Sequence, residues 1–100
     1  MHTMLRIYTG MPGVAPRFTA KKGEIEAVLK SVPGFAGYRL LGTADGIASV
    51  TICETQAGCE ESARKAAEWV KANMPEFAGK PPQIVLGESL ISFGAGKPAK

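Results

Sequence analysis

Side chains that commonly do chemistry are scarce in this 100-residue chain, which holds one histidine, two cysteines and one tryptophan. His2 stands alone, and Cys53 and Cys59 lack further donors at ligand spacing, so no zinc or non-haem iron centre is expected. The same shortage argues against haem, whose iron commonly takes an axial histidine, and no cofactor or metal is expected. No apolar run approaches the roughly 18 to 20 residues that a membrane helix needs. The first residues also lack the basic-then-apolar pattern of a secretory signal, so a cytoplasmic protein with no membrane partner is expected, its cysteines held as thiols. Cys59 falls near a helix start, where the macrodipole favours thiolate, yet a small buried residue is the commoner reading. Charge of one sign is thin as well: 12 basic against 9 acidic residues give +3. The basic residues are scattered rather than set in a stripe with aromatics, so no nucleic-acid partner is expected. Gly10, Gly13, Gly94 and Gly96 lack the strand-to-helix setting of a phosphate loop.

What the chain does have is core-forming material, 45% apolar against 21% charged residues, enough for one compact domain. That domain is read as residues 1–93, with 94–100 as a tail. Residues 35–54 organise the rest. They read as two strands folded back on each other, with Phe35, Gly37, Arg39 and Leu41 opposite Ala36, Tyr38 and Leu40, and with Ile47, Ser49, Thr51 and Cys53 opposite Ala48, Val50 and Ile52. Asp45-Gly46 between them suits a tight turn with positive φ.

Ahead of this hairpin, residues 3–9 alternate as a first strand, with Leu5 and Ile7 on one side and Met4, Arg6 and Tyr8 on the other. The Gly- and Pro-rich residues 10–16 read as a loop bordering a pocket mouth. One helix is expected over 18–32 from the stripe Phe18, Ile25, Val28, Leu29 and Val32, weakened at Gly23 and stopped by Pro33-Gly34. After the hairpin, 59–73 is the strongest helix, with Thr55 as one candidate cap and Pro75 as its stop. A stiff linker, 76–82, leads to a last strand over 83–93, with Ile84, Leu86 and Leu90 on one face and Val85, Ile91 and Phe93 on the other.

Strand, helix, strand, strand, helix, strand is the βαββαβ order of an α+β, ferredoxin-like domain: a four-stranded antiparallel sheet with two helices on one face. Every strand carries apolar groups on both sides. The face without helices therefore needs a cover, and a homodimer packed sheet to sheet is expected. The entry Val32-Pro33-Gly34-Phe35-Ala36-Gly37-Tyr38, the Asp45-Gly46 hairpin and the tryptophan-bearing helix at 61–73 resemble the antibiotic-biosynthesis-monooxygenase-like (ABM) domains of the dimeric α+β barrel superfamily. The resemblance spans residues 5–93.

The superfamily includes cofactor-free oxygenases of aromatic polyketides, haem-degrading enzymes, chlorite-dismutase-like proteins and stress-responsive barrels. The resemblance thus implies either a cofactor-independent monooxygenase-like enzyme acting on a hydrophobic aromatic small molecule, or a non-catalytic barrel that binds a small molecule or partner protein. It also implies a cavity between helices and sheet in each subunit. Trp69 matches the tryptophan associated with the oxygenases, either lining that cavity or closing the core at its rim. The first strand has Arg6 and Tyr8 where an asparagine is associated with those enzymes, and Asn73 lies on the helix instead. Trp69, Tyr38, Asn73, Arg39 and Tyr8 are the candidate substrate-binding residues. A buried arginine or phenol facing an enclosed space orients an anionic or enolate-like substrate, although arginines on such strands more often serve surfaces or dimer contacts. Alternation puts Tyr38 and Arg39 on opposite faces. Glu88, inside an apolar strand, is a candidate base if its face is enclosed, or else an interfacial ion-pair partner.

Overall fold

The computed structural model describes residues 1–77 and 79–94, and its sheet has β1 (His2–Tyr8) and β3 (Gly46–Cys53) at the centre. β2 (Phe35–Thr43) and β4 (Gln83–Glu88) form the edges, in the antiparallel order β2-β3-β1-β4. This is the expected ferredoxin-like α+β sheet. β3 shows why it is central: Ile47, Ser49, Thr51 and Cys53 are buried under the helices, while Ala48, Val50 and Ile52 are half-buried on the other face.

Three helices rather than two cover the sheet, because the first expected helix is divided into α1 (Ala15–Thr19) and α2 (Lys22–Lys30). Every residue from position 19 to 24 is exposed. With no buried side chain between Phe18 and Ile25, packing does not hold those residues in one continuous helix. The loop before α1 is a plug rather than a pocket mouth. Met11 and Val14 are buried, the Met11 N–H donates to Asp45 O at 2.9 Å, and the Gly10 N–H donates to Asp45 Oδ2 at 2.9 Å. α3 (Gln56–Asn73) starts three residues earlier than its apolar stripe indicated, where the Thr55 hydroxyl accepts from the Gly58 N–H at 3.0 Å.

Three further expectations are corrected. The hairpin turn at Ala44 and Asp45 has no positive φ. Gly46 is required for another reason: a Cβ there would lie 2.2 Å from Tyr8 O. A bulge between Phe35 and Gly37 turns Phe35 to the helix side, away from Gly37, Arg39 and Leu41, and packs it near Cys53 and Cys59. β4 ends at Glu88, not at 93: one further bond, from the Ser89 N–H to Met1 O at 2.9 Å, closes its pairing with β1, and Leu90, Ile91 and Phe93 beyond it are exposed. Residues 95–100, and with them nearly all of the expected tail, lie outside the described residues.

Under the helices the sheet carries two packed clusters. Met4, Cys53 and Cys59 form one, with Phe35, Ala63 and Leu86 against it. Met11, Val14, Phe18, Ile47 and Met74 form the other, joined by Tyr8, Leu40 and Trp69. The opposite face has no helix on it and is apolar, with Leu5 37%, Leu41 49% and Val85 51% exposed. No described helix is long and apolar enough to cross a membrane.

Candidate functional site

Alternation along three adjacent strands brings Arg6 and Tyr8 of β1, Ser49 of β3 and Tyr38 of β2 to the same face, with Arg6 directly across from Ser49. Phe18, Ile25, Leu29 and Trp69 from the three helices roof these side chains. The indole of Trp69 is held against Phe18, ring centres 5.9 Å apart and planes inclined at 39°. A chamber of about 30 Å³ lies between roof and floor, room for about two waters. Beside it a cleft of about 400 Å³ runs between α2 and the edge strand β2. Chamber and cleft share Phe18, Ile25, Leu29, Tyr38 and Leu40, so Tyr38 and Leu40 stand where one passes into the other.

Polar atoms at this end of the interior lack partners. Arg6 Nε, Ser49 Oγ and Trp69 Nε1, all in the chamber lining, are buried without a hydrogen bond among the described residues; Thr51 Oγ1, opposite Met4, and His2 Nδ1, at the start of β1, are two more outside it. A buried donor left without water or partner costs about 1–3 kcal/mol, so the three that line one chamber mark a place suited to a polar guest. Burial pushes the Tyr38 phenol above its ordinary value, and the Arg6 guanidinium opposes that shift without cancelling it. At neutral pH Tyr38 is therefore a protonated donor.

Trp69, Tyr38 and Tyr8 come together around the chamber, as the sequence placed them. Arg39 does not join them: it is exposed on the opposite face, where strict alternation after the bulge puts it. Asn73 is also outside, exposed, with its Nδ2 donating to the Trp69 carbonyl at 2.9 Å. Glu88 is exposed at the end of β4 and is not an enclosed base. His2 opens β1, paired with Cys53 and Glu88, and it does not line the chamber. Cys59 is buried, its thiol close to His2 O at 3.4 Å, and burial first and Cys53 second push that thiol up, away from thiolate. Arg6 lies on the face that alternation gives it, and of the two roles open to the strand arginines, it is placed for the enclosed one rather than for a surface or dimer contact. Its one signal was position, in phase with apolar Met4 and Tyr8. Ser49 carried no signal beyond its place in a half-polar strand.

No protein-family model matches the chain, and no curated protein matches it in sequence. Solved structures do match in fold. A variant of MhuD, solved with two manganese protoporphyrin IX molecules bound per active site, is 17% identical, with 95% of this chain and 100% of that chain covered at a TM-score of 0.68. A candidate antibiotic biosynthesis monooxygenase from Bordetella bronchiseptica is also 17% identical, covering 90% of this chain and 97% of its own at 0.68. SnoaB, a cofactor-independent oxygenase from Streptomyces nogalater, is 13% identical, covering 91% and 94% at 0.62. The chain thus has the fold of the ABM-like domains.

Haem, which the likeness to MhuD raises, does not fit the residues found here. No histidine or cysteine lines the chamber or the cleft, and burial holds the Tyr38 phenol protonated, against iron ligation. Among the described residues no group of three or more His, Cys, Asp and Glu is placed to hold a metal ion.

Proposed function

We propose that this chain, an ABM-like domain in its fold, works as a homodimer that takes a planar, hydrophobic aromatic molecule into the cleft and oxidises it without a cofactor. The observation that carries this reading is the set of unpartnered buried donors around Trp69, next to a cleft whose volume lies within the range of small-molecule sites. In such a reaction the substrate supplies the electrons: RH₂ + O₂ → RO + H₂O, with one oxygen atom inserted and the other released as water. The protein's part is to hold the deprotonated substrate. The Arg6 guanidinium and the Tyr38 hydroxyl stabilise its negative oxygen from the chamber side, and Phe18, which lines both chamber and cleft and is backed by Trp69, packs against its ring.

The second copy covers the open sheet face. Leu5, Leu41 and Val85, together with the half-buried Ile7, Val50 and Ile52, form the apolar surface it would cover. One observation favours a second reading, binding without turnover. No carboxylate and no histidine lines the chamber, and Glu26, which lines the cleft, is exposed and paired with Lys30, so no enclosed base faces the substrate. Oxygen uptake with a panel of polycyclic phenols separates the two. Uptake that is lost in Trp69→Phe and Tyr38→Phe supports oxidation; ligand-induced Trp69 quenching with no uptake leaves binding alone. The assembly is checked by sedimentation velocity, where Val50→Glu converts a dimer to monomers.

A further inference from the structure

Arg6 is 3% exposed and belongs to no ion pair among the described residues. All nine acidic side chains are among the described residues: Glu24, Glu26, Asp45, Glu54, Glu60, Glu61, Glu68, Glu76 and Glu88. None of them is buried. Five are already paired elsewhere: Glu24 with Lys21, Glu26 with Lys30, Glu61 and Glu68 with Arg64, and Glu76 with Arg17. Tyr38 and Tyr8 sit beside Arg6 in the chamber wall, and burial keeps the Tyr38 phenol neutral. A second copy on the open sheet face brings no counterion either, because Arg6 points to the other side. An arginine cannot discharge by losing its proton, and an uncompensated buried charge is strongly destabilising.

From this we infer that the chamber is an anion site and that the natural ligand is an aromatic carboxylic acid, bound head first. This rests on the reading of chamber and cleft as a ligand site. The carboxylate takes the chamber, where Arg6 and Trp69 supply otherwise unused donors and the Ser49 hydroxyl, close to the Tyr38 phenol, supplies a third. The chamber's 30 Å³ is too small for a ring, which stays in the 400 Å³ cleft between α2 and β2. Arg6 thus sets specificity by charge, and the apolar walls set it by shape.

The test uses naphthalene-2-carboxylate and its neutral near-isostere naphthalene-2-carboxamide, titrated into the full chain and followed by quenching of its one tryptophan. The wild type is expected to bind the acid about 10-fold or more tighter than the amide, the worth of a hydrogen bond to a charged group. In Arg6→Met that preference disappears, while the ligand-free melting temperature holds or rises because a lone buried charge has been removed. Arg6→Lys, which keeps the charge, retains part of the preference and serves if the methionine variant does not fold. Equal binding of acid and amide by the wild type overturns the anion inference and leaves the ligand site standing. So does a preference that survives in Arg6→Met. If neither compound binds, the site reading fails and the inference fails with it.

Discussion

The two ends of the interior between helices and sheet are built from the same strands and finished in opposite ways. At the end near the start of β1, Met4, Cys53 and Cys59 are buried at 3%, 0% and 0% exposure. Neither chamber nor cleft reaches them, and although His2 Nδ1 and Thr51 Oγ1 are unpartnered at this end, Ser62 Oγ donates to Gly58 O at 2.9 Å and lies 3.5 Å from Cys53 Sγ, and Cys59 Sγ reaches His2 O. Two residues further along β1, beside Arg6, the hydroxyl of Ser49 and the indole N–H of Trp69 have none. Sheet, register and helix α3 are common to both ends, so the fold alone does not account for the difference. One end is closed for stability and the other is kept incomplete.

Substitutions can sharpen or break this contrast. The largest effect is expected from Met4→Ala, which opens a void in the closed end and costs about 2–5 kcal/mol by urea unfolding. A loss below about 1 kcal/mol would mean that end is looser than its burial indicates. Ser62→Ala and Ser49→Ala then make a matched pair of one chemistry at two places. Removing the partnered hydroxyl of Ser62 costs about 1 kcal/mol, whereas removing the unpartnered one of Ser49 is neutral or stabilising. Equal losses at the two serines would erase the distinction between the ends.

A smaller effect belongs to alkaline pH. The Tyr38 phenol is held above its ordinary value by burial, so its contribution is fully present below pH 10 and is lost as pH rises through the folded-state value. Tyr38→Phe is expected to flatten that alkaline fall in stability. Cys59, raised in the same sense by burial, begins its own loss at lower pH and is separated by Cys59→Ala. The smallest effect is at the surface. Arg17 holds the exposed Glu76 carboxyl below its usual range, so the pair's contribution is present above the ordinary carboxylate value and is lost as pH falls through the lowered one. Glu76→Gln is expected to shift the melting temperature barely at all in high salt, where such pairs are screened.

Much of this was legible in the chain because alternation is local. Tyr8 and Tyr38 fall in phase with buried neighbours, and Trp69 follows the apolar stripe of α3, so their convergence needs only the strand order. Arg39 was misplaced for a related reason: its residue type suggested a site, but its phase put it on the other face. What could not be read depends on distant pairings. The early end of β4 is set by where β1 begins, and the break between α1 and α2 by an absence of buried contacts that only the packed molecule shows. The isolation of Arg6 is the clearest case. A lone cation on a strand says nothing until nine acidic side chains have each been located and found elsewhere.

The most direct test of the ligand site is the indole N–H resonance of Trp69, a single signal because the chain has one tryptophan. On titration with naphthalene-2-carboxylate it should move and saturate at one ligand per chain, together with amide shifts at Arg6, Tyr38 and Ser49. An indole signal that stays fixed while surface amides shift, or while nothing shifts, would contradict the assignment.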